Sequence, residues 1–141
     1  MTGIYGAYQH SLDAKGRLFI PARLREELGE SFFVTLSMES CLVAHSAESW
    51  ERLMEKYRSL PKVKQTKMRP LFSHAAVCEL DGQGRILLPQ ALRDHAGLKK
   101  SVTVVGTGEC AEFWDTDTFA IVDAEETKQE NIAEIYEELD I

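Results

Sequence analysis

The sequence predicts a strand-rich α+β fold: two related halves packed together as an internal pseudo-dimer, with short helices outside. Three observations lead there. The chain has 141 residues, 44% of them apolar, which suits one compact body or two small halves that depend on each other. Residues 12–29 recur at residues 80–97 with eight of eighteen positions identical: Leu12/Leu80, Asp13/Asp81, Gly16/Gly84, Arg17/Arg85, Pro21/Pro89, Leu24/Leu92, Arg25/Arg93 and Gly29/Gly97. Around both copies, short apolar or alternating runs are broken by glycine turns, as in strands and hairpins.

Taken in order, residues 5–12 place aromatic and apolar side chains at roughly alternating positions, and residues 18–20 form a short apolar run. Strand, tight turn over 13–16, strand is the reading. Pro21 suits the first position of a helix, Ala22 to Leu28 are mostly good helix formers, and Gly29 supplies a left-handed stop. Residues 31–37 and 41–45 are two further strands joined by Met38, Glu39 and Ser40. Ser46 is a helix N-cap, and Trp50, Leu53, Met54 and Tyr57 come after it at the spacing of one apolar helix face. The basic stretch between Pro61 and Pro70 is either an exposed connection or a polar helix.

The second copy replays this plan. Residues 76–80 pair with 85–88 around Gly82, Gln83 and Gly84; residues 89–96 form a short helix; residues 102–105 and 111–114 are strands around Gly106 and Gly108; Asp115 caps the segment after it. In the tail, Ile132, Ile135, Tyr136 and Leu139 share one helix face among glutamates that oppose the helix dipole. A helix of that kind is weak alone, so it either docks on a neighbouring subunit or frays. The expected division is a first repeat at 1–57, a basic connection at 58–72, a second repeat at 73–122 and an acidic tail at 123–141. Phe33, Val34, Trp50, Leu53, Leu88, Val104 and Phe113 are expected in the core or at a subunit interface.

A net charge of -7 conceals an uneven distribution. Residues 109–141 hold twelve acidic residues and one lysine, whereas residues 1–108 hold fifteen basic and eleven acidic ones. Residues 1–25 carry Lys15, Arg17, Arg23 and Arg25 against Asp13 alone, and residues 56–70 carry six basic residues and no acid. Both fields attract a polyanion, although such clusters also occur as solvated surface. No apolar run approaches a membrane span, and the start lacks the features of a secretory signal. Cys41, Cys78 and Cys110 form no close-spaced pair, which fits a reducing compartment, so the expectation is cytoplasmic.

The repeated Asp-x-x-Gly-Arg string reads as a turn that presents a cation. Asp13 and Asp81 accept backbone N–H bonds across the turn, Gly16 and Gly84 allow positive φ, and Arg17 and Arg85 emerge on the next strand. A planar guanidinium grips a phosphate or the edge of guanine bidentately. The competing reading is an Asp–Arg pair that only staples the hairpin. Lys15 lies inside the first turn, where the second has Gln83, and Arg23 stands where the second has Ala91. The first turn is therefore the better phosphate binder, with Lys15 and Arg17 as its main contacts, Arg23 or Arg25 in support and a lesser or structural role for Arg85. Arg25 and Arg93 alternatively form helix-surface salt bridges with Glu26, Glu27 or Asp94.

These residues, from Gly6 to about Phe119, resemble the MraZ family, regulators built from two tandem SpoVT/AbrB-type swapped-hairpin units, each with an Asp-x-x-x-Arg signature. Asp13 with Arg17 and Asp81 with Arg85 match it. The resemblance implies AbrB-like β-barrel halves and sequence-specific binding of double-stranded DNA near the start of the division and cell-wall gene cluster. It also implies ring-shaped homo-oligomers, nucleoid association, and repression of the protein's own operon. The extension after about Ile121 lies outside the signature. Several identical protomers, each meeting one short direct repeat, would gain roughly 10² to 10⁴ in avidity over one.

Three rivals remain at the level of sequence. Cys41 with His45 and His74 with Cys78 form a zinc-like donor set, but not at the spacing of a finger or ribbon, and both pairs fall near strands where buried cysteine is ordinary. His10 near Asp13, or Ser73 beside His74, are the only acid–base candidates; without a nucleophile elbow, phosphate-cradling loop or cofactor motif, no enzyme activity and no cofactor are expected. The third is an oligomeric protein-binding or antitoxin-like module without direct DNA binding.

Overall fold

The computed structural model describes residues 3–141. The first half runs β1 (Ala7–Ser11), β2 (Arg17–Phe19), α1 (Ala22–Leu28), β3 (Ser31–Leu36), β4 (Leu42–His45) and α2 (Ala47–Arg58). The basic stretch is helical, as α3 (Lys62–Lys67) and α4 (Arg69–Ser73). The second half repeats the plan with β5 (Ala76–Glu79), β6 (Arg85–Leu87), α5 (Gln90–His95), β7 (Ser101–Gly106), β8 (Ala111–Asp115) and α6 (Thr116–Glu126), and α7 (Gln129–Glu138) ends the chain.

Six strands form one antiparallel sheet in the order β1-β7-β8-β4-β3-β5, and β2 pairs with β6 in a separate ribbon. The order is pseudo-symmetric about the β4–β8 pair. It is also exchanged: β1 of the first half pairs with β7 of the second, through Ala7 opposite Val105 to Ser11 opposite Ser101. In return, β5 of the second half pairs with β3 of the first. Each half thus donates the first strand of its hairpin to the other, which makes the halves mutually dependent. The α+β class and the tandem halves are as expected. The exchange also matches the swapped hairpins that the resemblance implies; no closed barrel is formed among the described residues, since the strands of both halves share one open sheet that ends at β1 and β5.

Strand alternation divides the two faces of the sheet. Val34, Leu42, Ala44, Val102, Val104 and Phe113 join Leu18, Ile20, Ile86 and Leu88 of the ribbon region and Leu24, Leu28 and Leu92 of the short helices in one buried cluster. The other face is covered by helices. Phe33 of β3 stacks on Trp50 of α2 at 4.5 Å between ring centres, and Phe72 of α4 closes on Trp50 and Tyr57. Phe33, Trp50 and Leu53 are accordingly half-buried beneath α2 and α4, while Val34, Leu88, Val104 and Phe113 are in the main core. Further along the same face, α6 rests on β7 and β8 through Phe119 against Trp114.

Both predicted caps are formed: Ser46 Oγ accepts from Ser49 N at 3.1 Å, and Asp115 Oδ2 accepts from Thr118 N at 3.2 Å. Pro21 lies one position earlier than expected, as the cap residue before Ala22, the first residue of α1. No helix among the described residues is long and apolar enough to cross a membrane.

Candidate nucleic-acid interface

The two repeated turns are built alike to the level of single hydrogen bonds. Asp13 Oδ1 accepts from the backbone N–H of Lys15 at 3.0 Å and of Arg17 at 2.9 Å, while its Oδ2 accepts from Arg17 Nε at 2.6 Å. Asp81 does the same with Gln83, Arg85 and Arg85 Nε, at 2.9, 2.9 and 3.0 Å. Gly16 and Gly84 take φ of +87° and +77°, so the turn closes where a β-carbon is disfavoured. The backbone amides of Arg17 and Arg85, more than their guanidinium groups, hold the Asp13 and Asp81 carboxyls below the usual aspartate range.

The ion pairs engage only one nitrogen of each guanidinium. Nε faces the aspartate, and the terminal nitrogens of Arg17 and Arg85 have no hydrogen-bond or ion-pair partner among the described residues. The side chains retain 35% and 29% exposure, enough to leave that outer edge open. Stapling and presentation therefore coexist: the carboxylate fixes the orientation of a planar fork whose far side remains available.

The ribbon brings both copies to one surface. In the β2–β6 register, Arg17 lies opposite Leu87 and Phe19 opposite Arg85, with Leu18 opposite Ile86 between them. Leu18 and Ile86 point into the core, so Arg17, Phe19, Arg85 and Leu87 occupy the opposite face. The two arginines are diagonal neighbours, with Cα atoms roughly 7–8 Å apart on ordinary sheet geometry. Sequence reasoning missed this convergence and the exposed Leu87 between the turns. The signal was present in the i, i+2 alternation of Arg-Leu-Phe and Arg-Ile-Leu, but not the pairing of one run with the other.

The remaining predicted residues divide into two groups. Lys15 and Arg23 are exposed. Arg25 is drawn inward: its guanidinium lies 5.3 Å from the Phe19 ring centre, and its Nε is buried without a hydrogen-bond partner. Its counterpart Arg93 donates from Nε to Leu88 O at 2.9 Å. Neither makes a salt bridge with Glu26, Glu27 or Asp94 among the described residues; Asp94 instead accepts from Gln90.

The zinc-like donors are not brought together. His45 Nδ1 meets Ser49 Oγ at 2.9 Å and Cys110 Sγ at 3.3 Å, while Cys78 Sγ donates to Leu87 O. Among the described residues no three His, Cys, Asp or Glu side chains are grouped to hold a metal ion.

Comparison with known proteins extends the duplication beyond the turns. The family model described as "MraZ protein, putative antitoxin-like" matches residues 4–69 and again residues 71–140. The chain belongs to the MraZ family. The second MraZ match runs through α6 and α7, to residue 140. The protein named Transcriptional regulator MraZ of Heliobacterium modesticaldum is 47% identical over 118 residues, covering 82% of each chain. That of Acetivibrio thermocellus is 46% identical over 134 residues, covering 92% of this chain and 94% of its own. That of Alkaliphilus metalliredigens is 41% identical over 140 residues, covering 96% and 98%.

Proposed function

We propose that this chain is a transcriptional regulator that binds double-stranded DNA in a sequence-specific manner, as a ring-shaped homo-oligomer on short direct repeats. Its target is the division and cell-wall gene cluster including its own operon, which it represses, and its place is the cytoplasm, associated with the nucleoid. The single observation that carries this reading is the ribbon face on which Arg17 and Arg85 keep their outer guanidinium edges free while their Nε atoms are fixed by Asp13 and Asp81. The names of the MraZ relatives support transcriptional regulation.

Arg17 and Lys15 make the main contacts in this reading, with Arg23 reaching backbone phosphate and Arg85 in a lesser role. Arg25 supports the site by packing on Phe19 and the second turn. One protomer offers about three phosphate contacts, which bind weakly at ordinary salt. Repetition along the DNA makes the later contacts intramolecular and raises retention.

The test is a gel-shift with the region upstream of the protein's own gene, comparing wild type with Arg17→Ala. The variant should keep its circular dichroism spectrum and its assembly but lose specific retention; full retention would remove Arg17 from the mechanism. The antitoxin-like wording of the family description favours a second reading, an oligomeric protein-binding module. It predicts no retention of that DNA by wild type and co-purification of a protein partner.

A further inference from the structure

The fold leaves α7 amphipathic and unsupported. Ile135, Tyr136 and Leu139 are 50%, 54% and 63% exposed on one face, and the chain ends with an exposed Ile141. Glu130, Glu134, Glu137 and Glu138 lie around that stripe, and none is ion-paired among the described residues. The helix packs on no other element beyond marginal contact. Ten residues make about 15 Å of helix, too short to persist in water on propensity alone, and here the C-terminal glutamates oppose the dipole. A helix with that composition requires a surface.

Its complement lies on the same chain, between α2, α4 and the turn that precedes β8. A cleft of about 600 Å³ near α2 and α4 has Leu53, Tyr57, Leu60, Met68 and Leu71 in its lining, together with the charged Arg52, Lys56 and Glu109. A second cleft of about 440 Å³ shares Tyr57 and adds Lys62 and Arg69. Lys56, Lys62, Lys64, Lys67 and Arg69 are exposed, and none has a carboxylate within 4.0 Å among the described residues, whereas Arg58 is paired with Glu51. Apart from Arg52 and Glu109, which pair with each other at 3.7 Å, the charges around this apolar floor are unpaired cations, and they match an apolar stripe edged by unpaired carboxylates.

The protomer's own tail does not fill this cleft. The α6–α7 joint is pinned: Thr127 N donates to Asp123 O at 2.9 Å, Asn131 Nδ2 donates to Glu125 O at 2.8 Å, and Lys128 Nζ pairs with Glu125 Oε2 at 2.6 Å. Moreover, α6 rests on β7 and β8, and no residue of α7 is among those lining either cleft. We propose that α7 of one protomer docks, apolar face down, in the α2–α4 cleft of a second copy of this chain. Such a contact is heterologous, since tail meets cleft, so repetition of one rotation builds a ring when that rotation closes. The inference rests on the oligomer of the proposed function and names the surfaces that make it.

Light scattering on the full chain without DNA tests this by exchanging charges. Glu130→Lys/Glu134→Lys/Glu137→Lys places cations on both surfaces, and Lys56→Glu/Lys62→Glu/Arg69→Glu places acids on both. Each variant alone should fall to a fraction of the wild-type mass with its circular dichroism spectrum retained in the strand region. An equimolar mixture should regain the wild-type mass, since each variant's tail then matches the other's cleft, and a chain carrying all six substitutions should regain it alone. Wild-type mass in either triple variant, or a mixture that remains the sum of its parts, overturns the proposal. If the cleft variant keeps its mass and loses DNA retention, the cleft belongs to nucleic acid. A monomeric wild type that still binds DNA through Arg17 would end the docking proposal and leave the DNA site standing.

Discussion

Arg25 of the first half lies across Gly84 of the second: its Nη1 stands 2.6 Å from where a β-carbon on that glycine would be, and Arg93 returns the arrangement over Gly16 at 2.7 Å. Both glycines also take positive φ, so each turn needs glycine for its backbone, and a β-carbon there would also make the crossing arginine shift. Gly84→Ala should therefore destabilise the fold by about 1–2 kcal/mol from the left-handed backbone, while the Arg25 guanidinium shifts aside. Gly82→Ala is the control, because nothing lies within 4 Å of its β-carbon position. Urea unfolding should separate the two; equal midpoints would mean that the turn accommodates a side chain without cost.

The depressed carboxyls set the acid limit of the turns. Asp13 and Asp81 titrate below the ordinary 3.8 in the folded protein, so their stabilising contribution is complete above that value and is lost as pH falls through the folded-state pKa. Carboxyl-carbon NMR titration should place both midpoints below 3.8. Arg17→Ala should raise the Asp13 midpoint only in part, because the backbone amide at that position is the largest cause of the shift and survives the substitution. Complete recovery would transfer the effect to the guanidinium.

The turns, caps and helix faces were legible because local chemistry determines them: Gly16 and Gly84 needed positive φ, Ser46 and Asp115 needed amides to cap, and Trp50 to Tyr57 repeated at helical spacing. Strand exchange was implied by the swapped-hairpin resemblance but was not legible in the local residues. Nothing within residues 7–11 states that Tyr8 will face Val104 and not a strand of its own half; that depends on non-local register. The site divided in the same way. Asp13 with Arg17 could be read from five consecutive residues, whereas the sharing of one face by Arg17 and Arg85 arises only from the β2–β6 pairing. The inward turn of Arg25 was hidden for a further reason: a charged residue on a short helix ordinarily faces water, and here its guanidinium lies over a glycine of the other half.

The three thiols should differ widely in reactivity. Burial pushes Cys41 up to about 11 and Cys78 up to about 12, leaving little thiolate near neutral pH. Cys110 is partly exposed and lies 3.3 Å from His45 Nδ1. Iodoacetamide treatment of the native protein at mildly alkaline pH, followed by peptide mass spectrometry, should label Cys110 first and leave the other two until the fold is unfolded. Early labelling of Cys78 would show that the β5 strand opens readily.

The asymmetry between the two turns predicts an asymmetric salt dependence. Lys15 is exposed beside Arg17, and Gln83 holds the equivalent place beside Arg85. If the first turn meets phosphate with two cations and the second with one, Lys15→Gln leaves one phosphate fewer neutralised per engaged protomer. The slope of log K against log salt should then fall in magnitude by about 0.9 for each phosphate no longer neutralised. Gln83→Lys should steepen the slope only where the second turn also reaches the backbone, so the pair of variants separates one working turn from two. A slope unchanged by Lys15→Gln but reduced by Arg85→Ala would reverse the assignment and make the second turn the principal contact. Repeating both measurements on a single-repeat and a multiple-repeat DNA separates the two causes: a change per protomer already shows on one repeat and grows in proportion to the repeats engaged, whereas a change in the number of protomers engaged shows only on the multiple-repeat DNA.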